Sequence, residues 1–99
     1  MNAQEILNSA ADLLEKDGWC QGYPNNALGQ RCALGAIWDV EHYGPEAGQA
    51  EDLVRQLITK KRYGGTVSAT YPLAISTWND QPGRTAQEVI AVLREAAQL

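Results

Sequence analysis

The sequence of 99 residues contains few of the side chains that usually bind metals or carry covalent chemistry. It has one histidine, one methionine, two cysteines and no phenylalanine. Structural zinc sites take four ligands at short, paired spacings. Cys20 and Cys32 are twelve residues apart, and although His42 and Asp39 could join them, no paired motif supports the set. We therefore expect no metal site and no cofactor.

Long apolar runs and an excess of basic charge are also missing. No segment approaches the roughly 20 apolar residues of a membrane span, and the acidic N-terminal segment does not resemble a signal peptide. The sequence therefore predicts a cytoplasmic protein with reduced thiols. The net charge of -4 argues against broad nucleic-acid binding, which requires clustered Lys and Arg. The chain also lacks a phosphate-binding loop and a G-x-S-x-G motif.

The apolar residues that are present recur at helical spacing. They predict four main helices, over about 3–17, 32–43, 45–62 and 86–97, and one short helix over about 72–78. Asn2 with Glu5 and Thr85 with Glu88 have the spacing of N-terminal capping boxes. Residues 66–71 are interpreted as a linker. The length suits a single domain over residues 1–99, so we expect an all-α, compact bundle.

The second predicted helix is apolar over much of its circumference, which is typical of a helix in the centre of a bundle. Gly35 lies inside this helix, where glycine costs about 1 kcal/mol relative to alanine. We therefore expect another helix to approach closely at Gly35.

The two cysteines are the residues most easily connected with catalysis. Cys32 falls in the first turn of the second predicted helix, where free N–H groups would favour a thiolate, and the neighbouring Arg31 would help if it points the same way. Ten residues of helix span about 15 Å, so His42 would not reach Cys32, although Cys20 could fold back towards it. The competing interpretation is that both thiols are small buried apolar groups, and it predicts that Cys32→Ser lowers stability more than Cys32→Ala.

Polar residues follow a tryptophan in two distant segments. They are Trp19-Cys20-Gln21-Gly22 and Trp78-Asn79-Asp80, and Arg84 lies beyond the second. We expect the two segments to meet at one end of the bundle, with Asn79 or Asp80 accepting free N–H groups at residues 30–33. The same residues could form a pocket for a small polar or planar ligand. Its candidate ligand-binding residues are Trp19, Gln21, Arg31, Trp78, Asn79, Asp80 and Arg84.

Three motifs in this order, "GWCQG", "RCALGAIW" and "STWNDQPGRTAQEVIAVL", resemble a family of small, uncharacterised bacterial (notably actinobacterial) and phage proteins. The resemblance covers most of the chain apart from the third predicted helix and the linker after it. It implies a domain of unknown function without assigned catalytic residues. Its phage members suggest that this copy is encoded by a phage or prophage.

These observations favour a small, non-catalytic helical module that binds a protein partner or a small polar or planar ligand. A host protein or host signal molecule is the target that phage membership suggests. The alternative is a thiol-dependent enzyme that uses Cys20 or Cys32, with His42 as the candidate base. The sequence assigns no catalytic residue firmly and leaves the oligomeric state open.

Overall fold

A computed structural model describes residues 1–63 and 74–99 of the chain. The described residues form five helices, α1 (Ala3–Asp17), α2 (Ala33–Val40), α3 (Pro45–Tyr63), α4 (Ile75–Asn79) and α5 (Ala86–Ala96). This part of the chain contains isolated β-bridges but no β-strand. The prediction of an all-α bundle with four main helices and one short helix is confirmed. The predicted linker and the first residues of the predicted short helix, Pro72 and Leu73, lie outside the described residues.

Local side chains set the starts of α1 and α5. The Asn2 side chain accepts the Glu5 N–H at 2.8 Å, and the Glu5 carboxylate accepts the Asn2 N–H at 3.2 Å. At α5, the Thr85 hydroxyl accepts the Glu88 N–H at 3.2 Å, while the Glu88 carboxylate accepts the hydroxyl proton of Thr85. Both caps satisfy N–H groups that have no partner within their own helix.

Helix α2 is shorter than predicted at both ends. Cys32 is its N-cap rather than part of the first turn, and Glu41 ends the helix in an extended conformation. Tyr43, predicted to be helical, lies beyond this end and is 86% exposed. The chain must reverse before Pro45, and Gly44 makes this possible with a φ of 113°. Residues 41–44 therefore form the connection to α3.

The core lies where α1 and α2 meet the other helices. Helix α1 packs against α2, α3 and α5, and α2 contacts every other helix, as its apolar sequence predicted. The largest fully buried apolar side chains are Ile6, Leu7, Ile37, Val54, Ile58, Val89 and Leu93. None of the helices in the described ranges combines the length and the apolar character needed to cross a membrane.

The close approach at Gly35 exists, but its partner is a loop and not a helix. A Cβ atom at Gly35 would lie 2.0 Å from the carbonyl oxygen of Pro24. The same carbonyl accepts the Cys32 N–H at 3.2 Å. The prediction of a neighbouring helix was wrong because a backbone segment of residues 21–31 fills the space against α2.

Candidate functional site

The two tryptophan-led segments meet, as the sequence predicted. The indole N–H of Trp19 donates to the Asn79 side-chain oxygen at 2.6 Å, across 60 residues of sequence. Trp19 packs against the core from outside, and Trp78 is only 5% exposed. We call the contact between residues 19–22 and 78–80 the corner joint.

Asn79 is the centre of the corner joint and is completely buried. Its oxygen accepts the Trp19 indole N–H and, at 3.0 Å, the Ala33 backbone N–H. Its amide nitrogen donates to the Cys20 carbonyl at 3.1 Å and to the Asp80 carboxylate at 3.0 Å. The amide therefore makes the four hydrogen bonds that its two donors and two lone pairs allow. The bond to Ala33 caps the start of α2, in agreement with the sequence-based prediction.

Gln21 and Asp80 extend the corner joint towards the surface. The Gln21 amide nitrogen donates to the carbonyls of Asn79 and Gln81, both at 3.0 Å. The Asp80 carboxylate accepts the Gly22 N–H at 2.9 Å through Oδ1, the oxygen that also accepts from Asn79. These bonds hold the loop after α1 against the end of α4.

Arg84, another candidate ligand-binding residue, is committed to contacts within the protein. Its guanidinium carbon lies 4.3 Å from the Trp78 ring centroid, a cation–π geometry. Its Nε donates to the Trp78 carbonyl at 3.0 Å, and Nη1 pairs with Glu88 at 2.9 Å. The hydrogen bond from Arg84 lowers the pKa of Glu88 below its ordinary value. We therefore interpret Arg84 as a brace between α4 and α5.

The side chain of Arg31 is held by two carboxylates that lie outside the corner joint. Its guanidinium pairs with Asp17 at 2.7 Å and with Asp39, which links the end of α1 to α2. The hydrogen bonds to these carboxylates, Asp17 first, raise the pKa of Arg31. The condition under which Arg31 would stabilise a Cys32 thiolate, that it points the same way, is not met, because Asp17 and Asp39 hold its guanidinium.

Both thiols are buried and bonded to backbone groups. The sulfur of Cys32 accepts the Gly35 N–H at 3.3 Å. The sulfur of Cys20 lies 3.5 and 3.6 Å from the carbonyl oxygens of Tyr23 and Gln30, either of which can accept its single proton. Burial raises the pKa of each thiol above its ordinary value, although the Gly35 N–H opposes this at Cys32. The N–H groups at the start of α2 therefore favour a thiolate as predicted, but burial outweighs them, which agrees with the competing interpretation of buried thiols. The two cysteines are not joined by a disulfide.

His42 lies in a stack of aromatic rings rather than beside a thiol. Its ring centroid is 4.7 Å from that of Trp38 and 4.8 Å from that of Tyr43, with interplanar angles of 25° and 28°. The described residues give neither thiol a histidine partner. Nor do they contain a group of three or more His, Cys, Asp or Glu side chains placed to hold a metal ion.

A cavity of about 90 Å³ lies beside the corner joint. Tyr23, Leu34 and Trp38 form apolar parts of its wall, and Cys32, Ser76 and Asp80 contribute polar groups. Trp19 and Trp78, which the sequence suggested as the walls of a pocket, do not line this cavity. Sequence reasoning missed Tyr23 and Trp38 because nothing local indicates that the loop after α1 and the middle of α2 face the same space.

A larger, open groove of about 610 Å³ runs between α1 and α5. Leu14, Ile90 and Ala91 give it an apolar floor, and Glu15 and Arg94 pair with each other at 3.0 Å at its side. None of the residues predicted to bind a ligand lies in this groove.

A family model described as "Family of unknown function (DUF6197)" matches residues 1–99. Neither a search of curated proteins nor a search of solved structures finds a match to the chain.

Proposed function

The chain belongs to this family of unknown function, and we propose that it is a non-catalytic helical module that binds a protein partner. The binding face is the row of rings formed by Tyr23, Trp38, His42 and Tyr43, which we call the aromatic surface. The cavity joins Tyr23 to Trp38, and ring stacking joins Trp38 to His42 and His42 to Tyr43.

The exposure of these rings is the observation that carries the proposal. Tyr23 is 68% exposed and Tyr43 is 86% exposed, His42 is exposed, and Trp38 is partly buried. Tyrosine and tryptophan are enriched in the cores of protein interfaces. Stacking also limits the motion of the His42 and Tyr43 rings before binding, which lowers the entropy lost on association.

The size of the cavity at the aromatic surface favours a protein over a planar small molecule at this face. Pockets that enclose drug-sized ligands measure about 300–1,000 Å³, whereas the cavity at the aromatic surface measures about 90 Å³. The amide of Asn79 already makes all four of its hydrogen bonds within the protein, three of them in the corner joint and one to Ala33. A flat partner surface with one small protruding group suits this face better than a planar ligand does.

The thiol-dependent alternative has no observation in its favour. A nucleophilic cysteine needs an accessible thiolate and a base. Here burial raises the pKa of both thiols, and His42 is engaged in ring stacking. The thiols are better explained as parts of the loop and of the α2 cap.

The biological setting is part of the proposal. The resemblance to phage and actinobacterial proteins supports a phage or prophage origin, with a host protein in the cytoplasm as the partner. The genes on either side of this one test that origin. Neighbouring phage genes would support it, and an isolated chromosomal locus would count against it.

Site-specific photo-cross-linking tests the binding face. A photoreactive phenylalanine analogue replaces Tyr43 in one variant and Gln87, an exposed residue of α5, in the control. In the native host, we expect one foreign protein to cross-link at position 43 and not at position 87, and we expect Trp38→Ala to abolish it. No product at position 43, the same products at both positions, or only a second copy of this chain would overturn the proposal.

Thiol alkylation tests the non-catalytic part of the same proposal. We expect both cysteines of the folded protein to react with iodoacetamide far more slowly than a free thiol at neutral pH, and to react fast once the protein is unfolded. Rapid alkylation of either thiol in the folded protein would favour the enzyme instead.

A further inference from the structure

The cavity at the aromatic surface combines one negative charge with apolar walls. Among the residues that the structure describes, Asp80 is the only charged side chain in its lining, with the Ser76 hydroxyl and the Cys32 thiol as further polar groups. Tyr23 and Trp38 contribute aromatic surface, and Leu34 contributes aliphatic surface. A bound group must therefore be cationic at one end and apolar behind it.

The Asp80 carboxylate is fixed in place and keeps capacity for a cation. Oδ1 accepts the Gly22 N–H at 2.9 Å and the Asn79 amide at 3.0 Å. An ionised carboxylate offers about four acceptor positions on its two oxygens, and these two bonds use one oxygen. The corner joint therefore orients the carboxylate before any ligand arrives, which reduces the entropy cost of binding.

The volume of the cavity limits the size of the cation. At about 90 Å³, the cavity is well below the roughly 300–1,000 Å³ of pockets that enclose drug-sized ligands. It suits the end of a lysine side chain, with the rest of the ligand outside it.

The aromatic walls suit the same group. An ammonium ion is attracted to the faces of tryptophan and tyrosine, and the stem of a lysine packs along apolar surface while its charge meets a polar partner. The net charge of -4 also attracts cations over longer distances.

We propose that this cavity binds an alkylammonium group, supplied by a lysine side chain of the protein partner. This inference rests on the proposed function, because the aromatic surface around the cavity contacts the rest of the partner. Lysine Nζ donates to the Asp80 carboxylate, and its terminal methylenes lie between Tyr23 and Trp38.

NMR titration of the whole protein with Nα-acetyl-lysinamide tests the inference, at constant ionic strength. We expect saturable shifts of the Gly22 amide and the Trp38 indole resonances. Nα-acetyl-norleucinamide and Nα-acetyl-Nε-acetyl-lysinamide, which lack the ammonium charge, should give no saturable shifts. Equal shifts with these neutral probes, or none with the lysine probe, would overturn the proposal.

Two matched variants separate the site from general charge attraction. We expect Asp80→Asn to weaken binding of the lysine probe at least about tenfold, the loss of one charge-assisted hydrogen bond. Asp52→Asn removes the same charge from an exposed position on α3 and should leave the affinity within about twofold. Equal weakening by both variants would overturn the proposal. If Asp80→Asn does not fold, the neutral probes with the unmodified protein still decide the question.

Further probes identify the source of the ammonium group. Free n-butylamine that binds while the lysine probe does not would overturn a lysine side chain as the ligand. A lysine probe that fails while the Tyr43 cross-link persists would overturn only the cavity assignment. A lysine probe that binds without any cross-linked partner would support the cavity and overturn the proposed function.

Discussion

Replacing Asn79 with leucine should destabilise the fold strongly, because the amide has four partners and leucine satisfies none of them. Two of these partners are buried, the Ala33 N–H and the Cys20 carbonyl. The other two, the Trp19 indole N–H and the Asp80 carboxylate, are partly buried and can recover hydrogen bonds to water. Leucine branches at Cγ as asparagine does and is a good helix former, so α4 itself loses little.

The expected loss follows from the two buried partners. Each buried group left without a hydrogen bond costs about 1–3 kcal/mol, so the free energy of unfolding should fall by about 2–6 kcal/mol. The whole fold is stable by only about 5–15 kcal/mol. For a domain of about this size, even the lower limit corresponds to a Tm decrease of roughly 8–16 °C.

Urea and thermal unfolding, followed by circular dichroism and tryptophan fluorescence, measure this loss. Asn8→Leu is the matched control, because Asn8 is exposed on α1 and only accepts from Arg94 at 3.3 Å. Its effect should stay within about 0.5 kcal/mol. If Asn79→Leu unfolds at the same urea concentration as the control, the corner joint does not hold the two segments together.

A second substitution distinguishes the donors of Asn79 from its acceptors. Asn79→Asp keeps the two acceptor bonds but places oxygen against the Cys20 carbonyl and the Asp80 carboxylate. Burial and the charge of Asp80 raise the pKa of the introduced carboxyl in the folded state above its unfolded value of about 3.9. The destabilisation should therefore be largest near neutral pH and should shrink as the pH falls towards that value. A pH-independent loss would contradict this account.

Three further predictions concern α2, its cap and the two buried thiols. Gly35→Ala should lower the free energy of unfolding in urea by more than about 2 kcal/mol, because the new Cβ atom meets the Pro24 carbonyl. Gly48→Ala is the control: a Cβ atom there has nothing within 4 Å, so the substitution should raise the free energy of unfolding by up to about 1 kcal/mol. Equal effects of the two substitutions would contradict the close approach at Gly35. The Cys32→Ser variant should be at least as stable as Cys32→Ala, because alanine cannot cap α2 and loss of the cap lowers the free energy of unfolding by about 1 kcal/mol. The reverse order of melting temperatures would show that the sulfur acts only as apolar filling. Because burial raises the pKa of Cys20 and Cys32 in the folded state, stability should hold up to about pH 8.5 and decline above it; a variant without both thiols should lose that decline.

The prediction for Cys32 reverses the one made from the sequence. Burial alone predicted that a hydroxyl would be worse than a methyl at this position. The structure gives the sulfur a partner, the Gly35 N–H, and serine is among the best residues for that role. The sequence could not reveal this because cysteine is an uncommon N-cap, and the exact start of α2 depends on contacts with Asn79.

Features set by neighbouring residues were predictable, and features set by distant ones were predictable only in part. The Asn2–Glu5 cap and the capping of α5 by Thr85 follow from spacing within one turn. The contact of Asn79 with the start of α2 was one of several options, because residue types suggest hydrogen bonds but do not choose among partners. The sequence pattern predicted that α2 continues to Tyr43, whereas the helix ends at Val40. His42 lies beyond this end and stacks on Trp38, a contact that helical spacing of apolar residues does not reveal.

The corner joint changes how the motifs around Trp19 and Trp78 should be interpreted. Rare residues in a small protein first suggest a site, yet Trp19 and Asn79 use their polar atoms on each other's segments, and the Cys32 sulfur caps its own helix. Asp80 differs from them because it belongs to the corner joint through one oxygen and also lines the cavity. A site that depends on an oriented carboxylate needs such a support, since a free aspartate at a loop would lose more entropy on binding. Loosening the joint should therefore weaken binding of the lysine probe even where the fold survives. Gln21→Ala, which removes two hydrogen bonds near Asp80 but no atom of the cavity lining, would test that dependence.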